Sequence, residues 1–195
     1  MIDTQTAIQA LVSFLSGSIP FAVIAMWGSG VDIRTVGSGN PGFNNVLRVS
    51  KPRALLTLAG DMLKGYVPVM AFYQAGVDPA FEGWLYAFAA VFGHCYSPWL
   101  KFNGGKGIAT SAGVMLRLFP WLAVGGLAFF VVLRVLGSRR KWPEAGAVAS
   151  VATWVFFTVM LYLYVGPSTL RFAVLMTIFL AWRHKDNARR LLGIG

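Results

Sequence analysis

Apolar windows of about 20 residues follow one another along almost the whole chain, near Thr6–Trp27, Arg53–Gly76, Ala80–Leu100, Ala145–Val165 and Ser168–Trp182. That is the length a helix needs to cross the hydrocarbon core of a bilayer. Between the third and fourth windows, Ile108–Gly137 is a longer apolar stretch holding Pro120. Proline breaks the helical hydrogen-bond ladder, so this stretch is either one long kinked helix or two shorter ones. The 195 residues are 56% hydrophobic and only 12% charged, about half the charge of a soluble domain. A soluble domain of this size leaves too much surface in water to hide such a composition. The fold class expected is an all-α integral membrane protein.

Basic residues decide how the segments are threaded, because they collect in cytoplasmic loops. Arg34, Arg48, Lys51 and Arg53 lie in or beside the first loop, and Lys101 and Lys106 flank Asn103–Gly107. Arg134, Arg139, Arg140 and Lys141 form a third group, and Arg183, Lys185, Arg189 and Arg190 a fourth. The loop near Asp78 and Glu82 has no basic residue and is expected outside. Two crossings within Ile108–Gly137 put all four groups on the cytoplasmic side; one crossing puts the Arg139–Lys141 cluster outside. The sequence therefore predicts seven membrane helices, N-terminus outside and C-terminus cytoplasmic, with residues 1–195 as a single transmembrane domain. The fourth helix, Ile108–Phe119, is only about 18 Å long, short enough to penetrate partway where protein covers its end.

The net charge of +10 is accounted for by this topology and does not point to nucleic acid. Asp3 precedes the first apolar run with no Lys or Arg and no small-residue cleavage site, which predicts a retained span and not a signal peptide. The single Cys95 excludes a disulfide framework and a Cys-based zinc site, and two isolated histidines make no metal site. Arg117 and Arg171 are expected to snorkel from outer ends. Lys64 follows Asp61 by three residues inside the second span, a spacing that lets them pair on one face. Intramembrane charges are costly, so the pair is either a brace for the bundle or part of a functional site.

The dense polar clusters all fall on the predicted cytoplasmic side. Gly37-Ser38-Gly39-Asn40-Pro41-Gly42-Phe43-Asn44-Asn45, with Arg48 following, has the glycines to turn consecutive amides toward one anion. It matches the spacing of a dinucleotide fingerprint, but no strand precedes it and Asp61 lies in a membrane span. A second cluster, His94–Lys106 continuing through Gly107-Ile108-Ala109-Thr110, sets three glycines around Lys106 where a helix opens. Backbone donors, a helix N-terminus and a point charge suit an oxyanion, although the spacing is not that of a Walker A loop. His94 reads as a hydrogen-bonded structural residue and Cys95 as a buried small hydrophobe. In the tail Arg183–Arg190, the positive-inside rule explains the basic residues but not His184 and Asn187, three apart on one helix face.

These stretches, together with Gly17-Ser18-Ile19-Pro20-Phe21 and Asp61-Met62-Leu63-Lys64-Gly65, resemble the bacterial acyl-phosphate:glycerol-3-phosphate acyltransferase family of the inner membrane. The order and spacing run through nearly the whole chain. The resemblance implies transfer of a fatty acyl group from acyl phosphate to glycerol 3-phosphate, giving 1-acylglycerol 3-phosphate (lysophosphatidic acid) and phosphate. It implies that Ser38, Gly39, Asn40 and Arg48 bind glycerol 3-phosphate. Lys106 matches a phosphate-binding lysine, Gly104, Gly105, Gly107 and Thr110 the loop linked to acyl phosphate, and His184 and Asn187 a pair lining the same pocket. The chain departs from the family pattern at Phe43-Asn44, where Ala-Thr is usual, and at Ala147, where Ser is frequent. It also stops at Gly195 without the Glu common just beyond the last motif.

A mixed anhydride carries a good leaving group, so the step needs aligned reactants and neutralised phosphates more than a covalent intermediate. Direct transfer is expected, with the hydroxyl proton taken by the donor's phosphate or by His184. No cofactor and no metal are expected, and the protein is expected to act as a monomer whose candidate partner is an acyl-phosphate-producing enzyme. The alternative from another class is a membrane transporter for an organic phosphate, which the anion loops and Lys64 would fit. Against it stand the absence of an internal repeat and the crowding of polar groups at one face.

Overall fold

A computed structural model describes residues 2–73 and 80–194, and among these there is no β-strand. The chain forms two compact units, Met1–Leu118 and Phe119–Gly195. The first holds α1 (Thr4–Ser18), α2 (Phe21–Met26), α3 (Phe43–Val46), α4 (Lys51–Phe72), α5 (Ala80–Cys95), a 3₁₀ turn at Pro98–Leu100 and α6 (Ile108–Leu118). The second holds α7 (Pro120–Arg139), α8 (Ala145–Tyr164), α9 (Pro167–Arg183) and α10 (Lys185–Leu191). Thr4–Met26, α4, α7 and α8 are long and apolar enough to cross a membrane, while α6 is a shorter apolar helix. The predicted second span runs on to Gly76, which, like Asp78, lies outside the described residues.

In the first unit the usual pattern of a soluble helix is inverted. The buried face of α4 carries Ala54, Thr57, Asp61, Lys64 and Pro68, at alternating spacings of three and four. Its opposite face shows Leu55, Leu56, Leu63, Val67 and Met70. Apolar groups outward and polar groups inward is the arrangement that hydrocarbon solvent favours. Glycines set how closely the helices approach. A Cβ at Gly17 of α1 would strike the Ala90 carbonyl of α5, and one at Gly93 the Phe14 carbonyl. Likewise Gly113 of α6 faces the Met62 backbone and Gly65 of α4 the Thr110 backbone. Small residues at such crossings replace the hydrophobic drive that lipid removes.

The first predicted span, Thr6–Trp27, is not one helix. α1 stops at Ser18 and α2 restarts at Phe21, because Pro20 has no N–H to continue the ladder. The exposed carbonyls of the break are taken by side chains: Ser97 Oγ donates to Ser18 O at 2.6 Å, and Lys64 Nζ to Ile19 O at 2.8 Å. The end of α2 is closed by the Arg53 guanidinium, which donates to Ala25 O and Trp27 O at 2.6 and 2.8 Å. Arg117, expected only to snorkel, closes the end of α4 instead, donating to Tyr73 O at 3.1 Å and lying over the Tyr73 ring.

The second unit is built from aromatic packing. Phe129 and Phe156 stack at 4.4 Å between α7 and α8, and Trp154 meets Phe157 edge-on at 5.4 Å. α8 and α9 share a hydroxyl bond between Thr158 and Thr177 at 2.8 Å. Of the two alternatives for Ile108–Gly137, the helix breaks: α6 ends at Leu118, and Pro120 opens α7, where a missing N–H costs nothing.

Candidate functional site

The first Gly-rich loop is held by a single side chain. Asn45, 2% exposed within α3, accepts from Ser38 N–H through Oδ1 at 3.1 Å. Its Nδ2 donates to Ile33 O and Val36 O at 2.9 and 3.0 Å. Gly37 and Gly39 sit at φ of 58° and 67°, left-handed positions that glycine takes without strain. A Cβ at Gly37 would also collide with Asn45 Oδ1. Ser38 and Arg48 are exposed, and Gly39 and Asn40 are half-buried. The reading of this loop as a nest of outward amides needs correction. Ser38 N–H is used on Asn45 and Gly39 N–H on Val36 O, so these two consecutive amides do not face an outside anion, and the side chains of Ser38, Asn40 and Arg48 take on more of that task.

The second loop wraps its backbone onto the end of α5. Gly104 N–H donates to Cys95 O at 3.0 Å and Gly105 N–H to His94 O at 3.2 Å, satisfying carbonyls that a helix end leaves open. A Cβ on Gly104 would run into His94 O, and one on Gly105 into the His94 ring. These two glycines therefore serve close approach, and their amides are not free to cradle a phosphate as the sequence suggested. Half-buried Lys106 stands just before the opening turn of α6, whose N-terminal amides follow Gly107 at φ 84°. Thr110 is fully buried in that turn, its hydroxyl without a hydrogen-bond partner among the described residues.

Beneath this loop lies the intramembrane charge pair. Lys64 Nζ is 2.7 Å from Asp61 Oδ1, and both side chains are nearly sealed. His94 Nδ1 lies 3.6 Å from the same carboxylate oxygen. Removing either member of such a pair strands the other, at a cost of about 3–5 kcal/mol. A narrow cleft is bordered by Asp61, Lys64 and His94, by Ser18 at the α1 break, and by Pro41 and Gly105 of the two loops. The first unit thus brings together elements that are far apart in sequence.

His184 and Asn187 belong to the second unit, at the junction of α9 and α10. His184 is buried with Nδ1 2.8 Å from Leu180 O. Asn187 Nδ2 donates to Glu144 Oε2 at 2.6 Å, and Arg190 Nε donates to Glu144 Oε1 at 2.6 Å. The Glu144 carboxylate holds the Arg190 guanidinium charged, raising its pKa. Sequence reasoning missed Glu144 and Asn45, since neither stands out without knowledge of its distant partner. Among the described residues no group of His, Cys, Asp and Glu could hold a metal ion.

Known proteins bear on this arrangement. The family model described as glycerol-3-phosphate acyltransferase matches residues 7–193. A glycerol-3-phosphate acyltransferase of Paraburkholderia xenovorans is 38% identical over 194 residues, covering 96% of this chain and 88% of that protein. One from Rubrobacter xylanophilus is 40% identical over 192 residues, covering 93% and 89%. A crystal structure of PlsY, an integral membrane glycerol 3-phosphate acyltransferase, in its glycerol 3-phosphate form matches with a TM-score of 0.84 at 29% identity, over 97% of this chain and 94% of that one. Its lysophosphatidic acid form matches at 0.81 and 28%, over 97% and 93%. With apolar spans, two Gly-rich loops in order and a match over almost its full length, the chain belongs to the glycerol-3-phosphate acyltransferase family of integral membrane enzymes of lipid biosynthesis.

Proposed function

We propose that the protein transfers a fatty acyl group from acyl phosphate to the 1-hydroxyl of glycerol 3-phosphate, giving lysophosphatidic acid and inorganic phosphate. The observation that carries this reading is the meeting of the two Gly-rich loops, Pro41 of one and Gly105 of the other, at the edge of one cleft. The hydroxyl oxygen attacks the acyl carbonyl carbon, the bond from that carbon to the phosphate oxygen breaks, and phosphate departs with the hydroxyl proton. Ser38, Asn40 and Arg48 hold glycerol 3-phosphate through their side chains, on the turn that Gly39 makes. Lys106 and the opening turn of α6, from Gly107 to Thr110, neutralise the leaving phosphate, while Gly104 and Gly105 hold that loop against α5. Such positioning and charge stabilisation supply most of what this step needs. His184 and Asn187 are assigned to the reaction on the family resemblance.

The distribution of basic residues supports seven membrane segments with the N-terminus outside and the site at the cytoplasmic face of a bacterial inner membrane. A water-soluble acceptor then arrives from the cytoplasm and a lipid-soluble donor from the bilayer, delivered by the enzyme that makes acyl phosphate. Purified protein supplied with glycerol 3-phosphate and either palmitoyl phosphate, palmitoyl-CoA or palmitoyl-acyl carrier protein tests the donor. Lysophosphatidic acid from palmitoyl phosphate alone is expected; equal product from a thioester overturns the donor assignment.

A further inference from the structure

We propose that Asp61, Lys64 and His94 act as a buried strut that positions the turn at Gly105, and through it the loop carrying Lys106. This rests on the assignment of that loop to the donor's phosphate. The three side chains are between 2% and 6% exposed, and one carboxylate oxygen, Asp61 Oδ1, stands 2.7 Å from Lys64 Nζ and 3.6 Å from His94 Nδ1. The opposite side of the imidazole occupies the space where Gly105 would carry a side chain: the nearest atoms to a Cβ there are Nε2, Cε1 and Cδ2 of His94. The His94 carbonyl also receives the Gly105 amide. The ring is therefore set between a fixed carboxylate and the turn.

The carboxylate is fixed in its turn. Lys64 Nζ donates to Ile19 O at 2.8 Å and lies 5.9 Å from the Phe21 ring, so its ammonium is tied to the break between α1 and α2. A bundle brace could be built from apolar packing at no desolvation cost, whereas this cluster carries buried charge and ends on the Gly-rich turn. Asp61, Lys64, His94 and Gly105 all border the cleft, so a shift of the ring moves the cleft's edge. Asp61 and Lys64 are positioning residues here, acting through His94.

Two sets of variants test this with whichever acyl donor the wild-type protein accepts. In the first, Gly105→Ala, His94→Ala and their double variant are assayed for kcat/KM. Each single change is expected to cost about tenfold or more, by displacing the loop. The double variant should be at least about fivefold better than the product of the two losses, since the ring that the new methyl strikes is gone. Independent, multiplicative losses overturn the contact. In the second, Asp61→Asn with Lys64→Met removes both charges and strands neither. The melting temperature in detergent should return to near the wild-type value while KM for the donor stays raised by about tenfold. Recovery of KM along with stability reduces the pair to a brace, and if that double variant does not fold, the His94–Gly105 cycle decides. Wild-type activity with palmitoyl-CoA and none with palmitoyl phosphate would sink the donor assignment while leaving both tests of the strut intact.

Discussion

The two Gly-rich loops of the first unit have similar compositions and opposite constructions. The loop at residues 37–45 is a surface turn held from inside by the Asn45 amide, and its glycines at 37 and 39 are there for left-handed backbone. The loop at 104–107 is held by its own backbone against α5, and Gly104 and Gly105 are there because nothing larger fits. A glycine run thus says where a chain is constrained without saying whether the constraint is a dihedral angle or a neighbour. In neither loop do the glycines leave a full row of amides for an anion, which shifts the burden of phosphate binding to side chains and to the start of α6.

The sharpest break between the loops should come from their charges. Lys106→Ala is expected to lower kcat/KM by more than about 100-fold with the melting temperature unchanged, since the half-buried ammonium supplies charge at the α6 start. A rate near wild type would remove Lys106 from the phosphate clamp. Next comes the packing contrast. Gly104→Ala drives a methyl into the His94 carbonyl, a backbone atom that cannot turn aside, and should cost about 100-fold in kcat/KM by moving the loop. Gly39→Ala, by comparison, meets Arg34 O at 3.1 Å and pays mainly for its dihedral, about 1–2 kcal/mol of stability. Equal losses for the two alanines would erase the distinction.

Asn45→Ala removes three hydrogen bonds and leaves the Ile33 carbonyl and the Ser38 amide to find new partners, so it should lower unfolding stability by about 1–3 kcal/mol. Chemical denaturation in detergent measures it, and a neutral result would mean that the loop stands without its staple. The smallest effect belongs to the exposed pair Asp32–Arg34 at the loop's edge. The guanidinium lowers the Asp32 pKa from 3.8 to about 2. Its contribution is present above pH 3.8 and is lost as pH falls toward 2. A melting difference between wild type and Asp32→Asn should be slight at neutral pH and vanish near pH 2, as for exposed ion pairs generally.

Much of this was readable from local pattern. The helical class follows from the apolar windows, the division of Ile108–Gly137 into two helices from the basic residues that flank it, and the juxtaposition of Asp61 and Lys64 from their spacing. Harder were features whose cause lies elsewhere in the chain. Asn45 looks like any polar loop residue until Ile33, Val36 and Ser38 surround it. Glu144 sits in a basic turn 43 residues from Asn187, its hydrogen-bond partner. The break after Ser18 has a local cause in Pro20, but the window around it is apolar enough to read as unbroken. Arg53 enters the sequence as one of the basic loop residues and Arg117 as a snorkelling side chain, whereas each closes a helix end.

One consequence of the helix breaks concerns how the chain is assembled in the membrane. Pro68 cannot supply the amide that would bond the Lys64 carbonyl four residues back, and Ser16 of α1 donates its hydroxyl there at 3.0 Å. In exchange, Lys64 of α4 donates to Ile19 where α1 gives way. Ile19 O already accepts the Phe21 amide at 3.1 Å, so the missing bond lies on the α4 side, and α1 provides it within one turn of the same crossing. An unfilled backbone group costs several kcal/mol in hydrocarbon, so α4 is not a self-sufficient inserting segment, as a simple two-stage picture would have it. The two helices should enter the bilayer as partners: α4 expressed alone inserts poorly in a translocation assay, insertion rises when α1 precedes it, and Ser16→Ala weakens that gain.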